Sequence, residues 1–153
     1  MSNLQITSLN QLFDQIVQGL NDGKTLESMK HVVESYNGND WSEHVKFSDQ
    51  KYHMKKVFSN DIAELIVISW KATQQTAIHD HPSNGCIMKV VVGLLCEDIY
   101  SENADIHLNT HCIGEGDLSF SKGQETVHQI KADLNSISVH IYSPPNYVAT
   151  HYL

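Results

Sequence analysis

The sequence predicts an α+β fold that is mostly β, with two to three N-terminal helices followed by a β-sandwich or barrel. Two observations predict it. Apolar residues recur at helical spacing in the first third, and from about Tyr52 the pattern changes to short runs rich in β-branched and aromatic residues. No linker, internal repeat or low-complexity segment divides the chain. We therefore expect a single domain over residues 1–153, with a helical part over 1–50 packed on a β-barrel over 52–153.

The helical part contains three candidate helices. Ser8 is a predicted N-cap, and apolar residues follow it at helical spacing over 9–20 until an Asn-Asp-Gly turn. Thr25 is a second candidate cap, ahead of an apolar face over 29–36. A short third helix is expected around 41–45, after a break rich in Asn, Gly and Asp.

The β part contains seven predicted strands, most of them separated by Gly, Asn, Asp or Pro. Their ranges are Leu65 to Trp70, Ile87 to Val92, Leu94 to Tyr100, Leu118 to Ser121, Thr126 to Ile130, Ile137 to Tyr142, and Tyr147 to Tyr152.

Composition narrows the functional classes. The formal net charge is −8, all ten basic residues are lysine, and no basic stripe is present, so nucleic acid is not an expected partner. The first residues lack a basic segment followed by an apolar run, and no stretch approaches about 18 apolar residues, so neither a signal peptide nor a membrane span is expected. Cys86, Cys96 and Cys112 form no CxxC pair. This disfavours a disulfide framework and a zinc knot and indicates a cytoplasmic protein.

The strongest motif begins at His79-Asp80-His81. In a strand, residues two apart project from the same face, so His79 and His81 are able to reach one metal ion while Asp80 points away. A lone His-x-His pair is weak, but here Cys86 follows after four residues and Gly93 after six more. This is the first motif of the cupins, which are small jelly-roll β-barrels. Most cupins place a carboxylate ligand where this chain has Cys86.

A cupin also takes a histidine ligand from a later strand, and His128 is in the right place for it. Taken alone, His128 between Val127 and Ile130 is typical of a core histidine, and the first motif is what favours a ligand. A third segment alternates Ser138, His140 and Tyr142 with aliphatic residues. Such a polar trio is usually a solvated sheet face; inside a barrel it becomes a hydrogen-bonded relay.

With these motifs in place, the sequence resembles the cysteine dioxygenase family. The resemblance runs from the first helix almost to the C-terminus, and Trp70 stands nine residues before His79, as the family places it. The matching segments are Lys46-Phe47, Tyr52, Trp70, His79-Asp80-His81, Asn84 to Lys89, Gly93, His128 and Ser138 to Pro145.

The resemblance implies a role for each matched residue. His79, His81 and His128 resemble the three-histidine face that binds Fe(2+). Tyr142 resembles the active-site tyrosine, with His140 and Ser138 behind it as the relay. Cys86 matches the cysteine that forms a thioether crosslink to that tyrosine in the mammalian-type enzymes. The Ser143–Pro144 bond matches a cis peptide bond of the family. The family is also usually monomeric.

The residue types fit the oxidation of a thiol by O2. Three neutral imidazoles leave a metal ion its full positive charge and open positions, which suits an anionic thiolate and O2 side by side. A carboxylate at position 86 would reduce that attraction. Spacing alone does not distinguish iron from zinc, so iron follows from the resemblance and from the need for redox chemistry.

The match fails at the substrate carboxylate. The family places an arginine two residues after the matched tyrosine, but here Tyr52 is followed by His53 and Met54, and the chain has no arginine. If this segment is extended, Tyr52, Met54 and Lys56 share a face and Lys55 points away. Lys56 is then the first candidate to hold a carboxylate, although an exposed lysine is its ordinary interpretation.

Three functions remain open from the sequence. The first is a cysteine dioxygenase that converts L-cysteine and O2 to cysteine sulfinic acid. The second is a dioxygenase of another small thiol, such as 3-mercaptopropionate. The third is a cupin that binds metal without turnover, which the presence of Ser138, His140 and Tyr142 argues against.

Overall fold

The computed structural model describes residues 5–152, so residues 1–4 and 153 of the predicted domain lie outside the described part. Helix α1 spans Leu9–Asn21 and begins where predicted, because the Ser8 Oγ accepts a hydrogen bond from the backbone N–H of Gln11. The other helical segments are short: a 3₁₀ turn at Glu27–Met29, helix α2 at Lys30–Glu34, and 3₁₀ turns at Asp40–His44 and Glu102–Ala104. No helix within 5–152 is both long and apolar enough to cross a membrane.

The described strands, numbered in chain order, form two antiparallel sheets of five. The first sheet contains, in spatial order, β1 (His53–Ser59), β2 (Glu64–Trp70), β9 (Ser136–Ser143), β4 (Gly85–Val92) and β7 (Leu118–Ser121). The second contains β10 (His151–Tyr152), β3 (Ile78–His79), β8 (Val127–Ala132), β5 (Leu94–Tyr100) and β6 (His107–Gly114).

Every predicted strand is present, with the last one shortened to β10. Strands β1, β3 and β6 are outside the seven predicted ranges. Strand β3 has only two residues, whereas β1 and β6 are edge strands of their sheets, and six of the eight residues of β6 are exposed. Edge strands exposed to water carry few apolar residues, so a search for apolar runs does not find them.

Two apolar cores flank the first sheet. On one side, Leu65, Val67 and Ile141 pack against the helices. On the other side, between the two sheets, Ile66, Ile68 and other aliphatic residues form a second cluster. The helices are also held by the buried Lys89, whose Nζ donates hydrogen bonds to the backbone carbonyls of Glu34 and Tyr36 at 2.8 and 2.6 Å.

The cysteines correct one expectation. A disulfide joins Cys96 of β5 to Cys112 of β6, whereas the sequence disfavoured disulfides. The physical reason is strand register: the two residues are directly opposite each other in the β5–β6 ladder, and strand pairing brings them together without a CxxC spacing. Cys86 remains a buried free thiol. The cytoplasmic location stays a prediction, now without the argument from unpaired cysteines.

Candidate active site

Three histidine side chains converge between the sheets. His79 and His128 are directly opposite each other on β3 and β8, and His81 follows β3 on the same face as His79. The Nε2 atom of His128 lies 2.9 Å from that of His81 and 3.2 Å from that of His79. All three ligand nitrogens lie within 4.8 Å of one another. Two nitrogens bound to one ion at about 2.0–2.1 Å would lie about 3 Å apart.

The other ring nitrogens decide which way each imidazole points. The Nδ1 of His79 is 2.8 Å from the Ala77 carbonyl oxygen, and that of His81 is 2.9 Å from the Thr126 carbonyl oxygen. A carbonyl oxygen only accepts, so each Nδ1 carries the proton and each Nε2 presents a lone pair. Lone pairs that face each other at about 3 Å have no proton to share, and a metal ion is what such a set fits.

Glu97 holds the third histidine. Its Oε1 accepts from the Nδ1 of His128 at 2.9 Å and from the Ser119 hydroxyl at 2.8 Å, while its Oε2 lies 2.8 Å from the Nε2 of His111. Burial of Glu97 pushes its pKa up, but hydrogen bonding and charge from His128, Ser119 and His111 outweigh this, and the pKa is lowered. The carboxylate therefore stays charged behind the His128 imidazole.

Burial also keeps His79 and His81 neutral. It lowers the pKa of His79 to about 4 and that of His81 to about 2, and the neighbouring imidazoles add to the effect. A neutral imidazole is the form that binds a metal ion.

A hydrogen-bonded relay lies next to the histidines. The Trp70 indole N–H donates to the Ser138 Oγ at 2.9 Å, the Ser138 Oγ is 2.7 Å from His140 Nε2, and His140 Nδ1 is 3.3 Å from the Tyr142 hydroxyl. Because the indole only donates, the Ser138 proton is free to go to His140 Nε2. His140 Nδ1 then donates to Tyr142, whose own proton is left to face the cavity. Burial lowers the pKa of His140 to about 3, so this ring is neutral.

Cys86 and Tyr142 are neighbours across the β4–β9 ladder. They are directly opposite in register, and Tyr142 is in turn directly opposite Glu64 on β2. Residues directly opposite in a ladder share a face, so the three side chains form one row along the wall of the site. Burial raises the pKa of the Cys86 thiol and that of the Tyr142 phenol, so both hold their protons near neutral pH.

A cavity of about 260 Å³ joins these groups. The three histidines, His140, Tyr142 and Cys86 all line it, together with Tyr52, Met54, Glu64 and His151. This volume has room for a small organic molecule beside the histidines.

Comparison with known proteins identifies the family. Residues 2–152 match the family described as cysteine dioxygenase type I. The chain belongs to this cysteine dioxygenase family. A relative named cysteine dioxygenase type 1 from Danio rerio is 26% identical over 153 residues, which cover 92% of this chain and 73% of the relative. The human protein of the same name is 24% identical over 151 residues, which cover 92% and 74%.

Solved structures confirm the cupin fold. A Klebsiella pneumoniae protein with a double-stranded β-helix domain superposes with a TM-score of 0.63 at 19% identity, over 73% of this chain and 88% of that one. A cupin superfamily protein from Desulfitobacterium hafniense superposes with a TM-score of 0.58 at 6% identity, over 70% and 90%. The mostly β cupin with N-terminal helices is therefore confirmed.

Of the three candidate substrate-binding residues, Tyr52, Met54 and Lys56, the structure brings only two to the cavity. Tyr52 and Met54 line the cavity, and the Tyr52 ring stacks on Trp70 with centroids 4.8 Å apart. Lys56 does not line it. Its Nζ lies 2.9 Å from Glu64 Oε2 and donates to Asn146 Oδ1 at 2.7 Å. The role of Lys56 as a carboxylate partner stays a prediction. The Ser143–Pro144 bond is cis, as the family resemblance implies.

Sequence reasoning missed four residues of this candidate site. They are Glu64, Glu97, His111 and His151, and the two histidines fall in segments that read as polar strand or loop. Glu97 had a usable signal, since it is an acid between the apolar inward positions Leu95 and Ile99 of a predicted strand. Glu64 had a weaker one, because the predicted strand begins one residue later.

Proposed function

We propose that the protein is an iron-dependent dioxygenase of a small thiol, with L-cysteine as the predicted substrate and cysteine sulfinic acid as the product. One observation carries the proposal: three Nε2 lone pairs converge in the same cavity that the Tyr142 hydroxyl faces. A site for metal storage has no use for a Trp70–Ser138–His140–Tyr142 relay. Membership of a family named for dioxygenation of cysteine supports the reaction type.

The donor set fits a divalent ion, and His79, His81 and His128 are the residues that would hold it. When bound there, ferrous iron supplies the redox chemistry that lets O2 react with a thiol. The chain contributes no charged ligand, because imidazole binds a metal ion in its neutral form and no carboxylate belongs to the donor set. An anionic sulfur is therefore attracted to the centre without competition from a protein carboxylate.

The relay residues hold a proton at a defined place. Since His140 donates to the phenol oxygen of Tyr142, the phenol O–H is directed into the cavity as a hydrogen-bond donor. We propose that this donor orients the substrate or oxygen during the reaction. Both oxygen atoms of O2 enter the sulfinic acid, so the electrons lost by sulfur equal those gained by oxygen. No external reductant is required.

The test is oxygen consumption by iron-loaded protein with a panel of small thiols. We expect oxygen uptake matched by sulfinic acid formation, and neither with zinc-loaded protein. His128→Ala should lose bound iron and turnover together, whereas the exposed His31→Ala on α2 should keep both. Iron-loaded protein that consumes no oxygen with any thiol would leave the metal-binding cupin as the function.

We also propose that Cys86 and Tyr142 form a thioether crosslink during turnover. Their opposed positions in the β4–β9 ladder support it. Bond formation between Cys86 Sγ and a carbon of the phenol ring breaks the S–H bond and one ring C–H bond, and O2 takes up the two protons and two electrons to become H2O2. Peptides containing both residues should then appear as one species, lighter than the sum by two hydrogen atoms. Detection of unlinked peptides alone after many turnovers would refute the crosslink.

The remaining assignments concern the domain, the oligomeric state and the partners. We propose that the site belongs to one domain over 1–153, that the protein acts as a monomer, and that its partners are a small thiol and O2. Cysteine and 3-mercaptopropionate both remain candidate substrates. They differ at the carbon next to the carboxylate, where cysteine carries an ammonium group and 3-mercaptopropionate carries only hydrogen.

A further inference from the structure

The charges around the cavity are the opposite of what a carboxylate needs. Met54 occupies the position where the family has an arginine, and no lysine lines the cavity within residues 5–152. The carboxylates on the wall are Glu64 and Asp80. Asp80 is held by the C-terminal segment, since its Oδ1 accepts from the Tyr147 hydroxyl and from the backbone N–H of Thr150, while its Oδ2 has no hydrogen-bond partner among residues 5–152. Glu64 is directly opposite Tyr142 in the strand ladder, so it is the carboxylate placed beside the phenol to face a substrate.

Glu64 is held in place and short of hydrogen bonds. It lies on β2 directly opposite Tyr142, so its side chain stands on the inward face beside the phenol. The residue is only 6% exposed. Its Oε2 accepts no hydrogen bond from any group among residues 5–152. Because the Glu64 side chain lines the cavity, its carboxylate is a site for a donor brought by a ligand.

Lys56 forms an ion pair with Glu64 but does not line the cavity. The Nζ is 2.9 Å from Oε2, but their orientation does not make a hydrogen bond, and the ammonium donates to Asn146 instead. The Lys56 side chain is 44% exposed, so water screens much of its charge. This ion pair offsets the buried charge of Glu64 from outside the cavity, and no lysine among the described residues lines the cavity.

We infer that Glu64 is a specificity-determining residue that binds the ammonium group of a short aminothiol, and that the site has no requirement for a substrate carboxylate. The inference rests on the proposed thiol oxidation, because it names the thiol that this cavity binds. Bound cysteine would use its ammonium at Glu64 and leave its carboxylate in a cavity that no lysine among residues 5–152 lines. An aminothiol that lacks the carboxylate avoids that cost.

This predicts an order of preference that the family's arginine would reverse. 2-Aminoethanethiol should bind best, L-cysteine next, and 3-mercaptopropionate worst. The neutral 2-mercaptoethanol separates the effect of charge from that of the thiol itself. Since hydrogen bonds to charged groups contribute about tenfold or more to binding, we expect at least about tenfold between the cationic and the anionic thiol.

The test combines binding with turnover. Iron-loaded protein is titrated with each thiol by calorimetry in the absence of oxygen, and oxygen uptake is then measured with the same thiols. In Glu64→Gln, affinity for 2-aminoethanethiol should fall about tenfold, while affinity for 2-mercaptoethanol changes less than about twofold and that for 3-mercaptopropionate rises. An equal loss for all thiols, or tightest binding of 3-mercaptopropionate by the unaltered protein, would overturn the inference.

Lys56→Gln provides a second, independent arm, with Lys55→Gln as the control because it removes the same charge one residue away on the same strand. Removal of Lys56 leaves Glu64 uncompensated, so preference for 2-aminoethanethiol should increase, and Lys55→Gln should change nothing. A loss confined to carboxylated thiols would instead make Lys56 the substrate's partner and refute the role of Glu64. If the protein binds thiols selectively by charge but takes up no oxygen, the proposed function alone is refuted. If it takes up oxygen but does not distinguish thiols by charge, this inference alone is refuted.

Discussion

The two faces of the first sheet carry different residues although both belong to the same strands. On the face toward the helices, β9 places Ile137, Val139 and Ile141 in the apolar core. On the face toward the second sheet, the alternate residues Ser138, His140 and Tyr142 form the hydrogen-bonded relay. The period of two in a strand is what allows one short segment to serve both purposes.

The contrast between the two faces of the first sheet shows how this fold assigns stability to one face and the chemistry of the site to the other. The outer face is bound to α1 and α2 by aliphatic packing, and a loss there should be felt as a loss of folding free energy. The inner face carries hydroxyls and imidazoles that are buried but hydrogen-bonded to one another, so their burial is tolerated. A rigid outer face then holds the inner groups at fixed distances from the three histidines.

Neighbouring residues on β9 test most directly whether the two faces of the first sheet have separate roles. Ile141→Ala should lower the free energy of unfolding by about 2–5 kcal/mol, because it removes buried methyl groups from the helix-facing core and leaves a cavity. Tyr142→Phe keeps the ring and should leave stability nearly unchanged, while turnover falls by about a hundredfold through loss of the phenol donor. Denaturant unfolding of both variants, with oxygen uptake measured under conditions where each is folded, checks both halves.

The assignment of stability to the outer face and chemistry to the inner face is wrong if Ile141→Ala and Tyr142→Phe behave alike. Ile141→Ala with lost iron binding in the folded state would show that the outer face shapes the site directly. Tyr142→Phe with full turnover would remove the phenol from the reaction. Ile137→Ala, on the same outer face but farther along β9, serves as the matched control for Ile141→Ala.

Most of the fold was predictable because its signals are local. The Ser8 cap, the helical spacing and the alternation along β9 are each contained within a few consecutive residues. The edge strands β1 and β6 were not, since exposure to solvent removes the apolar pattern on which strand prediction depends. The Cys96–Cys112 disulfide was mispredicted for a related reason: register between strands is a non-local property, and sequence spacing does not encode it.

The residues of the candidate site also fall into those predictable from local sequence and those placed by pairing between distant strands. His79 and His81 are two apart in one segment, so their convergence follows from strand geometry alone. His128 needed the cupin motif that begins at His79, because its partner on β3 is 49 residues away in sequence. Glu64 enters the site only through its pairing with Tyr142, and Glu97 only through its bond to His128. Both are acids beside predicted strand positions, and nothing in the sequence shows which groups they will meet.

Glu97 extends the comparison to the second sheet, with a smaller expected effect. On β5, Glu97 points inward to His128, while its neighbour Asp98 points outward to His107 and Thr110 on the surface. Glu97→Gln keeps the shape and an acceptor but loses the charge that orients the His128 imidazole. We expect iron affinity to fall about 10–100-fold, the usual result of altering the group that supports a histidine ligand.

Asp98→Asn makes the same chemical change one residue away and should leave iron affinity unaltered, because its partners are exposed and distant from the ligands. Competition titrations of iron against a chelator measure both affinities, and thermal unfolding of the metal-free proteins tests whether either change acts through stability. Equal iron affinity in Glu97→Gln and the unaltered protein would mean that the strand pairing of His79 with His128 positions the imidazole by itself. In that case the inner face of the second sheet needs only backbone geometry to build the metal site, whereas the inner face of the first depends on its side-chain relay.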